Sequence, residues 1–174
     1  MLRILDITAP DINNGNGIRV TLWVSGCTHK CKGCHNSWTW DFSKGKPYKE
    51  NINEISKQLS DWLDRDYVDG ITISGGDPLC QDNIGLWELA TLTTWVKEDK
   101  EKTVWIYTGY IYEDLLREIE DNPNSERSKA LRSILKNTDV LVDGPYIEEK
   151  RDICHTPFRG STNQRLIYIS KCGE

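Results

Sequence analysis

The sequence predicts an α/β fold, an open partial (β/α) barrel of about five or six mostly parallel strands. Three observations predict it. Strand-like and helix-like segments alternate along the chain. The strands are short and nearly all apolar, as in a parallel sheet covered by helices. The motifs able to carry chemistry follow directly after strands, and in such sheets ligands gather beyond the carboxyl ends. Right-handed βαβ units of this kind curl into an open barrel.

The elements follow in order. Asn13-Asn14-Gly15-Asn16-Gly17 is a turn, rich in residues that accept positive φ. Arg19 to Val24 is β-branched and aromatic, and reads as a strand. A cysteine-rich loop runs from Ser25 to about Gly45. Ile52, Ile55, Leu59 and Leu63 recur at helical spacing. Gly70 to Ile73 is a short strand that ends in Ser74-Gly75-Gly76-Asp77-Pro78, and Ile84 to Val96 is a helix, apolar on one side. Thr103 to Tyr107 is a strand ending at Thr108-Gly109. Helices from about Tyr112 to Ile119 and from Ser125 to Leu135 flank a polar break at Asp121–Asn124. Asp139 to Val142 is a strand ending at Asp143-Gly144-Pro145, residues 146–164 are irregular, and Leu166 to Ile169 is a last strand. No internal repeat, low-complexity segment or linker interrupts the chain, so 1–174 reads as a single domain.

Composition narrows the function. Apolar residues make up 37% and charged residues 28%, a globular balance rather than a disordered one. No apolar run approaches the ~20 residues that a membrane span needs. The first residues lack a signal peptide's apolar stretch, so the expected location is the cytoplasm, with no membrane partner. A net charge of −5 argues against a nucleic-acid partner. Of the six Cys, three lie between 27 and 34 and three are scattered, which suits one metal site plus incidental thiols. Cys80, Cys154 and Cys172 read as small, buried or partly buried thiols.

Cys27-Thr28-His29-Lys30-Cys31-Lys32-Gly33-Cys34 is a C-x3-C-x2-C pattern. Iron–sulfur clusters take thiolates, and a tight loop can point three of them at three corners of a four-iron cubane. The next Cys, Cys80, is far along the chain, so one iron is left open to a ligand. Structural zinc is the alternative, with His29 or His35 completing a Cys3His set. After the next strand, Gly75 and Gly76 let backbone approach a ligand closely, and Asp77 offers a carboxylate to an ammonium. A ligand with an amino-acid end, held between this turn and an open iron, satisfies both motifs.

With these two motifs the chain resembles the radical S-adenosylmethionine (SAM) superfamily, and more closely the anaerobic ribonucleoside-triphosphate reductase activating enzymes. Asn14–Arg19 resembles that family's opening turn, Val24–Asn36 its cluster loop, Ser37–Trp40 the stretch that follows and Ile73–Leu79 its SAM turn. Tyr107–Tyr110, Val140–Gly144 and Arg159–Arg165 resemble later blocks. Two positions depart: the family usually has Tyr at His35, and His is common at Cys80.

The resemblance implies a radical SAM-type barrel and a [4Fe–4S] cluster on Cys27, Cys31 and Cys34, with SAM on the open iron. Gly33, Cys34 and His35 would line SAM through backbone, Gly76 with Asp77 would contact its amino group, Gly75 would bind it as part of the same turn, and Thr108 and Gly109 would add contacts. Reductive cleavage of SAM would yield a 5′-deoxyadenosyl radical that abstracts hydrogen from a glycine of the partner reductase. The chemistry would be borne by the cofactors, with no side chain as general base. The remaining alternatives are an activase of another glycyl-radical enzyme, or a non-catalytic zinc or iron–sulfur module. Trp38 and Trp40 are candidate edges of the docking face for the reductase. Lys30, Lys32, Lys44, Lys46 and Lys49 crowd the cluster loop and suit an acidic electron donor such as reduced flavodoxin. Arg159–Arg165 would either dock the partner or tie down the end of the barrel.

Overall fold

A computed structural model describes residues 1–152 and 154–169. Among them are seven strands and four α-helices, in the order β1 (Arg3–Asp11), β2 (Arg19–Val24), β3 (Lys46–Pro47), α1 (Ile52–Leu63), β4 (Gly70–Gly75), α2 (Asn83–Glu98), β5 (Thr103–Tyr107), α3 (Tyr112–Asp121), α4 (Glu126–Lys136), β6 (Val140–Asp143) and β7 (Arg165–Tyr168). The strands form one sheet, β3-β1-β2-β4-β5-β6-β7. The four central strands, β2, β4, β5 and β6, are parallel. β1 is antiparallel to both β2 and β3, and β7 is antiparallel to β6.

The expectation of an α/β fold around parallel strands therefore holds. The expectation of five or six strands falls short, because β1 and β3 add to the sheet. The strand order leaves β3 and β7 as its two edges, so the architecture shown is an open mixed sheet.

Side chains alternate between the two faces of a strand, and the two faces are built differently. Val20, Leu22 and Val24 of β2, Ile71 and Ile73 of β4, Val104 and Ile106 of β5 and Leu141 of β6 join the main apolar core. Ile55, Leu59 and Leu63 of α1 meet that core one turn apart, and Leu86, Leu89 and Val96 of α2 and Leu131, Ile134 and Leu135 of α4 meet it at helical spacing. Ile52, the first residue of the expected stripe, lies at the start of α1 and is exposed. The Asp82 side chain caps α2 by accepting from the Gly85 N–H at 2.7 Å, and Ser125 caps α4 through the Ser128 N–H at 3.0 Å.

The other face carries buried polar groups beside Trp105, Val140 and Val142. Arg19 is buried there, its guanidinium donating to the Thr72 hydroxyl at 2.6 Å, the Thr103 hydroxyl at 3.0 Å and the Ile71 carbonyl at 2.5 Å. It also lies over the Trp105 ring, 5.3 Å from the centroid. Burial lowers its pKa to about 10. This face is roofed by the turn at 12–17 and by part of the 144–164 segment, and a cavity is left between roof and sheet. No helix among the described residues is long and apolar enough to cross a membrane.

Candidate functional site

The parallel register of β2 and β4 sets the site. Trp23 pairs with Ser74 and Val24 with Gly75, so the cysteine loop and the glycine turn leave the sheet side by side. Two further bonds join them: the Gly76 N–H donates to the Val24 carbonyl and the Asp77 N–H to the Gly26 carbonyl, both at 2.8 Å. A Cβ on Gly76 would stand 2.4 Å from the Gly26 carbonyl oxygen, so only glycine allows this approach. Gly33 has φ of 72° and turns the chain between Cys31 and Cys34, whose backbones bond at 3.1 Å.

Cys27, Cys31 and Cys34 are free thiols, the first buried and the others half-buried, and all three face one cavity of about 630 Å³. That volume falls within the ~300–1,000 Å³ of typical small-molecule sites. Burial, then the nearby Asp77 charge, pushes the Cys27 thiol up to about 11, and burial raises that of Cys31. Such thiols give up their protons to a cationic centre, which offsets the cost of burying the thiolate. Among the described residues, no three His, Cys, Asp or Glu side chains converge on a single-ion site. Structural zinc needs a closed set of about four ligands around one ion. Three thiols fall one short of that set, and on the wall of a cavity this size they suit a cubane with one corner open.

The rest of the cavity wall comes from the ends of β4, β5 and β6 and from the roof. Gly75, Gly76, Asp77, Thr108, Gly109 and His35 all line it; Gly33, expected beside them, does not, and faces the Glu148 side chain instead. The Asp77 carboxylate, expected to meet a ligand ammonium, is taken up by donors of the chain itself. It accepts from the Leu79 N–H at 2.9 Å, the Thr108 hydroxyl at 3.0 Å and the Gly109 N–H at 2.8 Å, and lies 2.9 Å from His29 Nε2. That contact, made first through the hydrogen bond, raises the His29 pKa. His35 is exposed and packs at 5.4 Å against the Tyr146 ring.

Comparison with known proteins gives the family. A family model described as a 4Fe-4S single cluster domain matches residues 13–167. The anaerobic ribonucleoside-triphosphate reductase-activating protein of Enterobacteria phage T4 is 40% identical over 157 residues, covering 90% of this chain and 87% of its own. The proteins of that name from Pasteurella multocida (strain Pm70) and Escherichia coli (strain K12) are 39% and 35% identical, each covering 91% of this chain. The chain belongs to this family of anaerobic ribonucleoside-triphosphate reductase-activating proteins.

Sequence reasoning missed the roof of the cavity in this reductase-activating family member, and above all its one arginine. Arg159 is the single Arg or Lys among the residues lining the cavity. Its Nε is buried with no hydrogen-bond partner, and among the described residues it makes no ion pair. The turn carrying it is pinned: Gln164 accepts from the Gly160 N–H at 2.8 Å and donates to the Gly144 carbonyl at 3.0 Å, and Tyr107 donates to the Phe158 carbonyl at 2.7 Å. Arg165, in the same block, ties β7 to Asp143 and to Glu113 of α3. The only sequence signal was the resemblance of the Arg159–Arg165 block itself.

Other expectations divide. Trp38 is exposed and tilts against Trp23 at 6.4 Å, while Trp40 is half-buried. Lys32 lies 3.3 Å from Glu148 and Lys46 2.7 Å from Glu54, so the lysine patch is partly neutralised. Lys30, Lys44 and Lys49 are exposed without an ion pair among the described residues. Cys80 is half-buried, as expected. Cys154 is exposed, a correction: Asp152 accepts from the N–H groups of Cys154 and His155, a tight turn that holds the thiol outward. Cys172 lies outside the described residues.

Proposed function

We propose that this chain activates an anaerobic ribonucleoside-triphosphate reductase by reductive cleavage of SAM at a [4Fe–4S] cluster. The observation that carries the reading is the meeting of three free thiols and the Gly75–Asp77 turn on one cavity wall. Cys27, Cys31 and Cys34 would hold three irons and leave the fourth open. The chemistry such a cluster would supply is one electron for reductive cleavage of SAM to methionine and a 5′-deoxyadenosyl radical, whose target would be a glycine Cα hydrogen of the reductase.

The chain's own work is binding, orientation and exclusion of water. Cys34 and His35 would line SAM through backbone, with Gly33 turning the loop between the cysteines, and Gly75 and Gly76 would let backbone approach its amino group. Thr108 and Gly109 would shape the wall beside it. Arg159, with an orphaned buried N–H, fits the cofactor's carboxylate, since a buried donor left unpaired costs about 1–3 kcal/mol. Exposed Trp38 and Phe42 stand beside the cluster loop, where a protein substrate would close the cavity. The same reading takes 1–174 as one cytoplasmic domain, its sheet the wall of a partial radical SAM barrel, with an acidic flavodoxin-like donor supplying the electron.

The test is anaerobic reconstitution, then mixing with the reductase, SAM and reductant. A brown protein with four irons per chain and a glycyl radical doublet in the electron paramagnetic resonance (EPR) spectrum is expected. A colourless protein holding one zinc ion would reject the function.

A further inference from the structure

The C-x3-C span of the cluster loop is held at its middle, and both anchors come from the turn after β4. The Thr28 N–H and hydroxyl lie 3.4 Å and 2.9 Å from the Cys80 thiol. His29 Nε2 lies 2.9 Å from Asp77 Oδ2. A carboxylate only accepts, so Nε2 carries the proton in this pair. The imidazole is fixed from two further sides: the Tyr110 ring meets it edge-on at 4.7 Å, and a Cβ on Gly109 would come within 2.6 Å of it.

Asp77 is 1% exposed. An ionised carboxylate offers about four lone-pair positions. The Leu79 N–H, the Thr108 hydroxyl, the Gly109 N–H and His29 fill them. No acceptor position is left for a ligand's ammonium. We propose that Asp77 is a positioning residue that acts through His29, clamping the cysteine loop to the ends of β4 and β5 and so fixing the open corner of the cluster over the cavity. The clamp rests on the cluster assignment proposed above.

The experiment uses reconstituted protein carrying His29→Ala, His29→Gln, Asp77→Asn and the His29→Ala/Asp77→Asn pair, with circular dichroism confirming the fold. Two quantities are read: the rate at which a chelator bleaches the cluster, and the EPR spectrum of the reduced cluster with and without SAM. A lost charge-assisted hydrogen bond corresponds to roughly 10- to 100-fold. His29→Ala should speed bleaching by about that factor and alter the EPR change that SAM induces. His29→Gln, whose amide N–H can replace Nε2–H, should restore most of both. His29→Ala should add nothing in the Asp77→Asn background.

Additive losses would overturn the clamp. So would a loss of SAM response in Asp77→Asn with His29→Ala unchanged, since Asp77 would then meet the ligand itself. If Asp77→Asn does not fold, the two His29 variants decide: wild-type bleaching in His29→Ala rejects the clamp. Wild-type protein that forms no four-iron cluster, or whose cluster ignores SAM, rejects the earlier functional reading instead.

Discussion

Arg159 is the residue whose surroundings ask most plainly for a ligand. Its charge faces a cavity that holds no other Arg or Lys, and its Nε has no partner. Replacing it by Gln should weaken SAM binding about 10- to 100-fold, the worth of a hydrogen bond between charged groups. Equilibrium dialysis of the reconstituted variant measures this, and unchanged affinity would remove Arg159 from the site. Gly76 makes the opposite demand, for less matter. Gly76→Ala places a Cβ 2.4 Å from the Gly26 carbonyl, and overpacking of that sort costs about 1–3 kcal/mol. The loops should part, so iron per chain after gel filtration should fall while the far-ultraviolet spectrum holds. At this scale the sequence was informative where spacing alone dictates chemistry, as at Cys27, Cys31 and Cys34. It was silent on what each polar group bonds. Nothing local to Asp77 shows that Thr108 and Gly109, from the next strand, occupy its oxygens.

Helices were legible because their apolar spacing is itself the signal. α1 shows Ile55, Leu59 and Leu63 buried on one stripe. Leu59→Ala should cost about 2–5 kcal/mol through loss of burial plus a cavity. Ile52→Ala, at an exposed position of the same helix, should stay within about 0.5 kcal/mol. Urea unfolding of the two variants checks both, and equal midpoints would contradict the packing described. Strand β1 escaped the sequence reading because Asp6 and Pro10 interrupt its apolar pattern. It tolerates Pro10 because its outer neighbour, β3, pairs only with Arg3 and Ile4, leaving the rest of β1 at the edge of the sheet. The direction of β7 was equally hidden, since apolar content marks a strand without saying which way it runs. Arg19 likewise read as the first residue of a strand. Its burial depends on acceptors from β4 and β5 that lie more than fifty residues away.

For the molecule as a whole, charge is unevenly spread. Net charge is −5, yet Lys30, Lys44 and Lys49 stand exposed around the cluster loop without ion pairs among the described residues. An acidic electron donor should approach faster at low salt, since screening shortens to about 8 Å at physiological ionic strength. Stopped-flow reduction of the cluster should slow as salt rises, and further with Lys44→Glu/Lys49→Glu. A rate indifferent to ionic strength would remove the docking role of the patch. The back-bonds from Gly76 and Asp77 to Val24 and Gly26 carry one more consequence. They splice two loops, some fifty positions apart along the chain, into a single jaw. A docking protein that leans on one must carry the other with it. With the proposed cluster on one loop and SAM on the other, the gap an electron has to jump would keep its width under load, and a bulky visitor could press on the mouth without detuning it.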